Sequence, residues 1–207
     1  MAANLFGKLA SDTLGLSDIG KIIAPSDFDK VDGDDYIMHE DGEKIFFVIK
    51  SKSDEYVFTN YGLLHVDGAS AMSKKRTVKR HDFCYETVSG VTLETAGTID
   101  ADVEIKFHFN EMPFSIDVDK KQLEILKDLY KALLEISRIQ RMNYQRVQDG
   151  AEGLKMANDA ISRSSITGDA AQVVKNLTDF NFNWMVDLRK THNNRDFSET
   201  FKKYINN

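Results

Sequence analysis

Between residues 102 and 109 apolar and polar side chains alternate singly. Val103, Ile105, Phe107 and Phe109 fall on one side, and Asp102, Glu104, Lys106 and His108 on the other. A period of two predicts a strand with one buried and one wet face. Shorter or more apolar versions of the pattern predict strands over 44–50, 55–59, 63–67, 74–80, 91–95 and 114–118. Ser51-Lys52-Ser53-Asp54, Asn60-Tyr61-Gly62 and Glu111-Met112-Pro113 supply turns between them. Short strands that follow one another without intervening helices predict an antiparallel sandwich or barrel.

Beyond residue 120 the spacing changes to three and four. Leu126, Leu129, Leu133 and Ile136 make one apolar stripe, which predicts a helix over 120–137 able to close such a sheet. The pattern runs on through Ile139, Met142 and Val147, further than a small sheet can cover. Gly150 and Gly153 predict a break, with Leu154, Ala157 and Ile161 in a second short helix. After Thr167-Gly168-Asp169, the residues Val173, Leu177, Phe180, Trp184 and Leu188 predict another helix. A last one is expected from Asp196, paired with Glu199 as a cap, presenting Phe197, Phe201, Tyr204 and Ile205. Upstream, Leu5, Leu9, Leu16, Ile19 and Ile23 predict a short amphipathic helix or broken pair that Pro25 stops. The expected organisation is a helical segment over 1–29, a sheet domain over 30–137 and a helical extension over 138–207.

The charge balance of −6 disfavours general nucleic-acid binding. Cys84 is the single cysteine, so no disulfide can form within the chain, and a reducing, cytoplasmic location is expected. The longest strongly apolar run, 45–49, falls far short of the roughly 20 residues a membrane-crossing helix needs. The N-terminal stretch carries only Lys8 as an early positive charge and is interrupted by Asp12 and Asp18, so it does not read as a signal peptide. With Lys8 and Lys21 against those two aspartates, it also lacks the basic face of an interfacial helix.

Chemistry is sparse. The histidines at 39, 65, 81, 108 and 192 form no metal-binding pair, and no metal or cofactor is expected. Cys84 has His81 and Asp82 as neighbours along the chain, but a nucleophile is defined by spatial roles, and a small apolar filler is the simpler reading. Asp27, Asp29, Asp32, Asp34 and Asp35 surround Gly33 without calcium-loop register, since Val31 and Met38 occupy ligand positions; a solvated linker is expected. Gly68-Ala69-Ser70-Ala71-Met72 lacks the second glycine of a hydrolase elbow. The one suggestive charge run is Lys74, Lys75, Arg76, Lys79 and Arg80. It could hold phosphate headgroups, or it could simply keep an edge strand from pairing with another molecule.

Two blocks carry a family resemblance. Phe58-Thr59-Asn60 ahead of Leu63-Leu64-His65-Val66-Asp67, and Leu93 to Asp100 leading into Asp102-Val103-Glu104-Ile105-Lys106, resemble the bacterial pleckstrin-homology (PH) domain family. Ser17-Asp18-Ile19-Gly20 and Phe182-Asn183-Trp184 are similar to its YvbH-type members, which add a C-terminal helical region thought to mediate oligomerisation. The resemblance implies an α+β fold: a bent seven-stranded antiparallel sheet plugged by a helix, followed by a helical extension. It implies no enzyme activity. In eukaryotic relatives of the fold the anion site lies in the loop joining the first two strands; here that loop has Lys52 opposed by Asp54 and Glu55. The function expected is therefore a non-enzymatic binding or scaffold protein that forms a homo-oligomer through Val173, Leu177, Phe180, Trp184 and Leu188. An unidentified protein partner is allowed, no nucleic acid is expected, and the alternative is a membrane-surface or anion-binding module that uses residues 74–81.

Overall fold

The computed structural model describes residues 19–68, 76–95, 102–163 and 169–205. Among them, two antiparallel sheets form. One has the order β1 (Lys21–Ile22), β2 (Ile45–Lys50), β3 (Asp54–Thr59), β4 (Gly62–Gly68) and β5 (Arg76–Asp82); the other has β6 (Val88–Glu94), β7 (Asp102–Phe109) and β8 (Met112–Asp119). The strands from β2 onward are the seven that alternation predicts. β1 is an addition, pairing Lys21 and Ile22 with Lys50 and Ile49. Gly20 then ties the sheets together, since its N–H donates to the Asp117 carbonyl at 2.8 Å and its own carbonyl accepts from Asp119 at 3.0 Å.

The N-terminal expectation fails where it can be followed. The stretch from 19 to 30 is strand and then a 3₁₀ helix, Pro25–Lys30, and Pro25 opens that turn instead of ending a helix. A fixed φ and a missing N–H suit a first helical position. The expected helix through Leu5, Leu9 and Leu16, the Lys74 and Lys75 pair and the segment 69–73 lie outside the described residues.

The five-stranded sheet is covered on both faces. On one, Val48, Val57, Leu64 and Val66 pack under Ile23, Val31 and Ile37. The aspartate-rich segment expected to be a solvated linker is thus a strap over apolar surface, wound as short 3₁₀ turns. Glu55 fastens it. This carboxylate, 3% exposed, takes a hydrogen bond from the Gly33 N–H at 2.6 Å and from the Lys50 Nζ at 2.5 Å. A Cβ at Gly33 would lie 2.6 Å from Val57 Cγ2 and 2.8 Å from Glu55 Oε1, so glycine is what lets the strap approach. On the other face Phe47 and Phe58 meet Phe107, Phe109 and Phe114 in a chain of edge-on and stacked rings. Enclosure on both sides explains why β2 reads as an almost unbroken apolar run.

Three α-helices follow: α1 (Leu123–Ser162), α2 (Ala170–His192) and α3 (Ser198–Tyr204). The expected break at Gly150 and Gly153 does not occur; α1 continues through both. Leu126, Leu129, Leu133 and Ile136 are completely buried. Gln122 anchors the helix start to β1, accepting from the Ile22 N–H at 2.8 Å and donating to its carbonyl at 3.0 Å.

The chain divides into two compact units, one comprising residues up to 137 with 195–207, the other 138–194. In the first, the C-terminal segment, which the periodicity groups with the extension, packs with the sheet. Phe197 donates its N–H to the Asn60 carbonyl at 2.9 Å, and Phe201 stacks on Phe46 with ring centroids 5.2 Å apart. Asp196 accepts from Ser198 N at 2.7 Å, as a capping carboxylate does, although Phe197 holds the N-cap position. In the second unit the distal half of α1 and α2 form an antiparallel hairpin. Gly150 faces Leu188 and Trp184, and Asn181 Nδ2 donates to Asn158 Oδ1 at 3.0 Å.

Candidate functional site

α2 has apolar residues on several faces, yet none of its residues is buried in the single chain. Leu177 and Leu188 are half-buried, whereas Val173 and Trp184 are each 36% exposed and Phe180 is 61% exposed. A second apolar flank lies outside that stripe: Val174, Phe182 and Val186, with Phe182 68% exposed. Its signal in the sequence is the spacing of four between Phe182 and Val186, which places both on one helix face. Met142, Tyr144 and Met156 of α1 are exposed as well. Large apolar side chains gathered at an exposed surface are a common signature of interaction sites.

The basic strand is differently placed from what a phosphate-binding reading requires. Among the described residues β5 stands at the end of its sheet, paired with β4 alone. Arg80 is inward enough to be engaged twice, by Glu43 Oε1 and by Asp82 Oδ1, both at 2.8 Å. Glu43 is 2% exposed and also accepts from Thr59 Oγ1 at 2.6 Å and Met38 N at 2.8 Å. Burial pushes the Glu43 carboxyl up, but the hydrogen bonds from Arg80, Thr59 and the Met38 N–H outweigh it and leave the group below its ordinary 4.5. Lys79 pairs with Asp67 at 3.2 Å, and Arg76, opposite Gly68, lies with its guanidinium across that glycine.

The loop after β2, where eukaryotic relatives of the fold hold anions, leads into an acidic surface. Asp54 pairs with His65 at 2.9 Å, and the hydrogen bond from His65 draws its carboxyl down despite burial. Tyr56 stacks on His65, with centroids 4.5 Å apart. Burial, with Asp54, Asp67 and Asp117 nearby, pushes the Tyr56 hydroxyl up to about 12. With Asp54 and Asp67 paired to His65 and Lys79 and with Asp117 near Tyr56, this part of the surface offers no surplus positive charge for a phosphate.

Cys84 and His81 do not form a nucleophile. His81 directs Nδ1 to Glu86 at 2.9 Å, and its ring packs against Phe109 and Phe114. Burial and Asp82 push the Cys84 thiol up, the reverse of activation. Among the described residues, no group of three or more His, Cys, Asp or Glu side chains gathers to hold a metal ion, and no helix is long and apolar enough to cross a membrane.

Two antiparallel sheets followed by a long helix whose first turns are buried fit the architecture that the resemblance implies. Residues 13–137 match the model of the bacterial PH domain. The chain belongs to the bacterial PH domain family. Residues 149–207 match a second model, the YvbH-like oligomerisation region, so the match takes in both α2 and the returning α3. The uncharacterised protein YvbH of Bacillus subtilis (strain 168) is 50% identical over 205 residues, which span 98% of this chain and 100% of that protein. The crystal structure of a PH-domain-containing bacterial protein from Exiguobacterium sibiricum 255-15 superposes with a TM-score of 0.83 at 44% identity, covering 91% of this chain and 100% of its own. This bacterial PH protein thus has the PH-like α+β fold and the helical region of its YvbH-type relatives.

Proposed function

We propose that this chain is a non-enzymatic scaffold: a PH-like binding domain presented in a homo-oligomer that is built through the hairpin of 138–194. The observation that carries the reading is α2, a 23-residue helix without one buried residue and with Phe180, Phe182, Trp184 and Val186 exposed. Burying each such side chain is worth about 1.5–3 kcal/mol, so a second copy covering these residues offers a large driving force. The match of residues 149–207 to a YvbH-like oligomerisation region supports self-association from an independent direction. Anion binding by Lys74, Lys75, Arg76, Lys79 and Arg80 has less support. Arg80 is held by two carboxylates, Lys79 by a third, and the neighbouring surface is acidic.

The test is light scattering on a sizing column, comparing wild type with Phe180→Ser and Phe182→Ser. A discrete oligomer that the substitutions shift to smaller species, with unchanged far-UV circular dichroism, is the expected result. A wild-type monomer at micromolar concentration removes the reading.

A further inference from the structure

A pocket of about 240 Å³ opens on the sheet unit, lined by Tyr61, Arg80, Asp82, Cys84, Tyr85 and Arg195, with Met38 at its side. Its parts come from the turn before β4, the end of β5, and the segment that leads into α3. Arg195 is the distinctive element. Its guanidinium lies over the Tyr61 ring, 4.5 Å from the centroid, and among the described residues it has no ion-pair partner. Tyr61 is itself fixed, because its hydroxyl donates to the Asp41 carbonyl at 2.6 Å. A guanidinium resting over a ring can use its N–H groups to grip a carboxylate in bidentate fashion.

The charges of the pocket select the ligand further. Arg80 is already engaged by Glu43 and Asp82, so the two arginines and two carboxylates balance, and Arg195 is the one cation of the pocket without an ion-pair partner among the described residues. One such charge beside Asp82 suits a single carboxylate better than a phosphate dianion. The volume admits one side chain, not a drug-sized molecule. The rim is built of the residue types that dominate protein contacts: Tyr85 is 82% exposed and Met38 is 42% exposed.

We propose that this pocket is the anchor site for an aspartate or glutamate side chain of an acidic peptide segment, with Arg195 gripping the carboxylate and Tyr85 and Met38 packing on the flanking residues.

Cys84 makes the test direct, because it is the only cysteine of the chain and lies in the pocket wall. The full-length protein is alkylated with neutral iodoacetamide in the presence of an end-capped hexaglutamate peptide, inorganic phosphate, or neither, and the modification rate is followed by mass spectrometry. Peptide is expected to slow the reaction at least about fivefold at saturation, by covering the thiol and raising its pKa further. The slowing should vanish in Arg195→Ala and be intermediate in Arg195→Lys, which keeps the charge but loses the planar fork. Each rate is compared with that of the same variant without peptide. The proposal is overturned if the peptide gives no protection in wild type, if Arg195→Ala is protected equally, or if phosphate protects as well as the peptide. Oligomeric state does not enter any of these readings, so failure here and failure of the scaffold reading are separable.

Discussion

Replacing Phe201 with alanine tests whether the end of the chain is part of the sheet unit. Phe201 is wholly buried, stacks on Phe46 of β2 at 5.2 Å, and lies 6.2 Å from Phe83. Truncating a fully buried phenylalanine costs about 3–5 kcal/mol, because the transfer energy of the ring is lost and the cavity collapses only partly. Domains have about 5–15 kcal/mol of stability in all, so a large share would go with one side chain 82 residues beyond Asp119, where β8 ends. The assay is native-state hydrogen exchange on β2 and β3, whose slowest amides report opening of the whole unit. At 1.4 kcal/mol per tenfold, their exchange should accelerate by about 10² to 10³ or more. Phe201→Leu, which fills most of the space, should cost under about 1.5 kcal/mol. An acceleration below about fivefold in the alanine variant would show that α3 does not support the sheet.

Other consequences can be measured separately. Glu43→Gln should cost about 3 kcal/mol, because it strips Arg80 of a buried partner; urea denaturation at neutral pH measures it. Since the folded-state Glu43 carboxyl is held below its ordinary 4.5, its contribution is complete above that value and is lost as pH falls through the lower folded-state value. Wild type should therefore lose more stability between neutral and acid pH than Glu43→Gln does, and parallel acid profiles would contradict this. The two helix glycines should respond in opposite directions. Nothing lies within 4 Å of a Cβ at Gly153, so Gly153→Ala should stabilise by up to about 1 kcal/mol through helix propensity. At Gly150 a Cβ would lie 2.5 Å from Leu188 Cδ2 and 3.1 Å from Trp184 Cη2, so Gly150→Val should cost about 1–3 kcal/mol in thermal melts of the hairpin, followed by Trp184 fluorescence.

What the sequence determined by itself was everything that repeats locally. Alternation located the strands from β2 to β8 within a few residues, because a sheet with one wet face prints its period directly on the chain. The stripe Leu126, Leu129, Leu133, Ile136 located the plug for the same reason at helical spacing, and every one of these residues is fully buried. The exposed stripe of α2 was legible as a stripe, but its exposure was not, since periodicity records amphipathicity and not what covers the apolar face. Three things needed the tertiary structure. The strap of 23–37 looks hydrophilic because its aspartates are frequent, and only the distant Glu55 and Lys50 reveal that Asp32 and Gly33 close a buried ion pair. Gly150 looks like a helix breaker by propensity, whereas close packing against Leu188 and Trp184 gives glycine a reason to stay inside α1. α3 looks like the last element of the helical region, yet Phe46, Phe83 and Asn60, far away in sequence, draw Phe197 and Phe201 back to the sheet. The pocket of Tyr61, Cys84 and Arg195 follows from that return, because residues separated by more than a hundred positions acquire a common chemistry only when long-range packing brings them together.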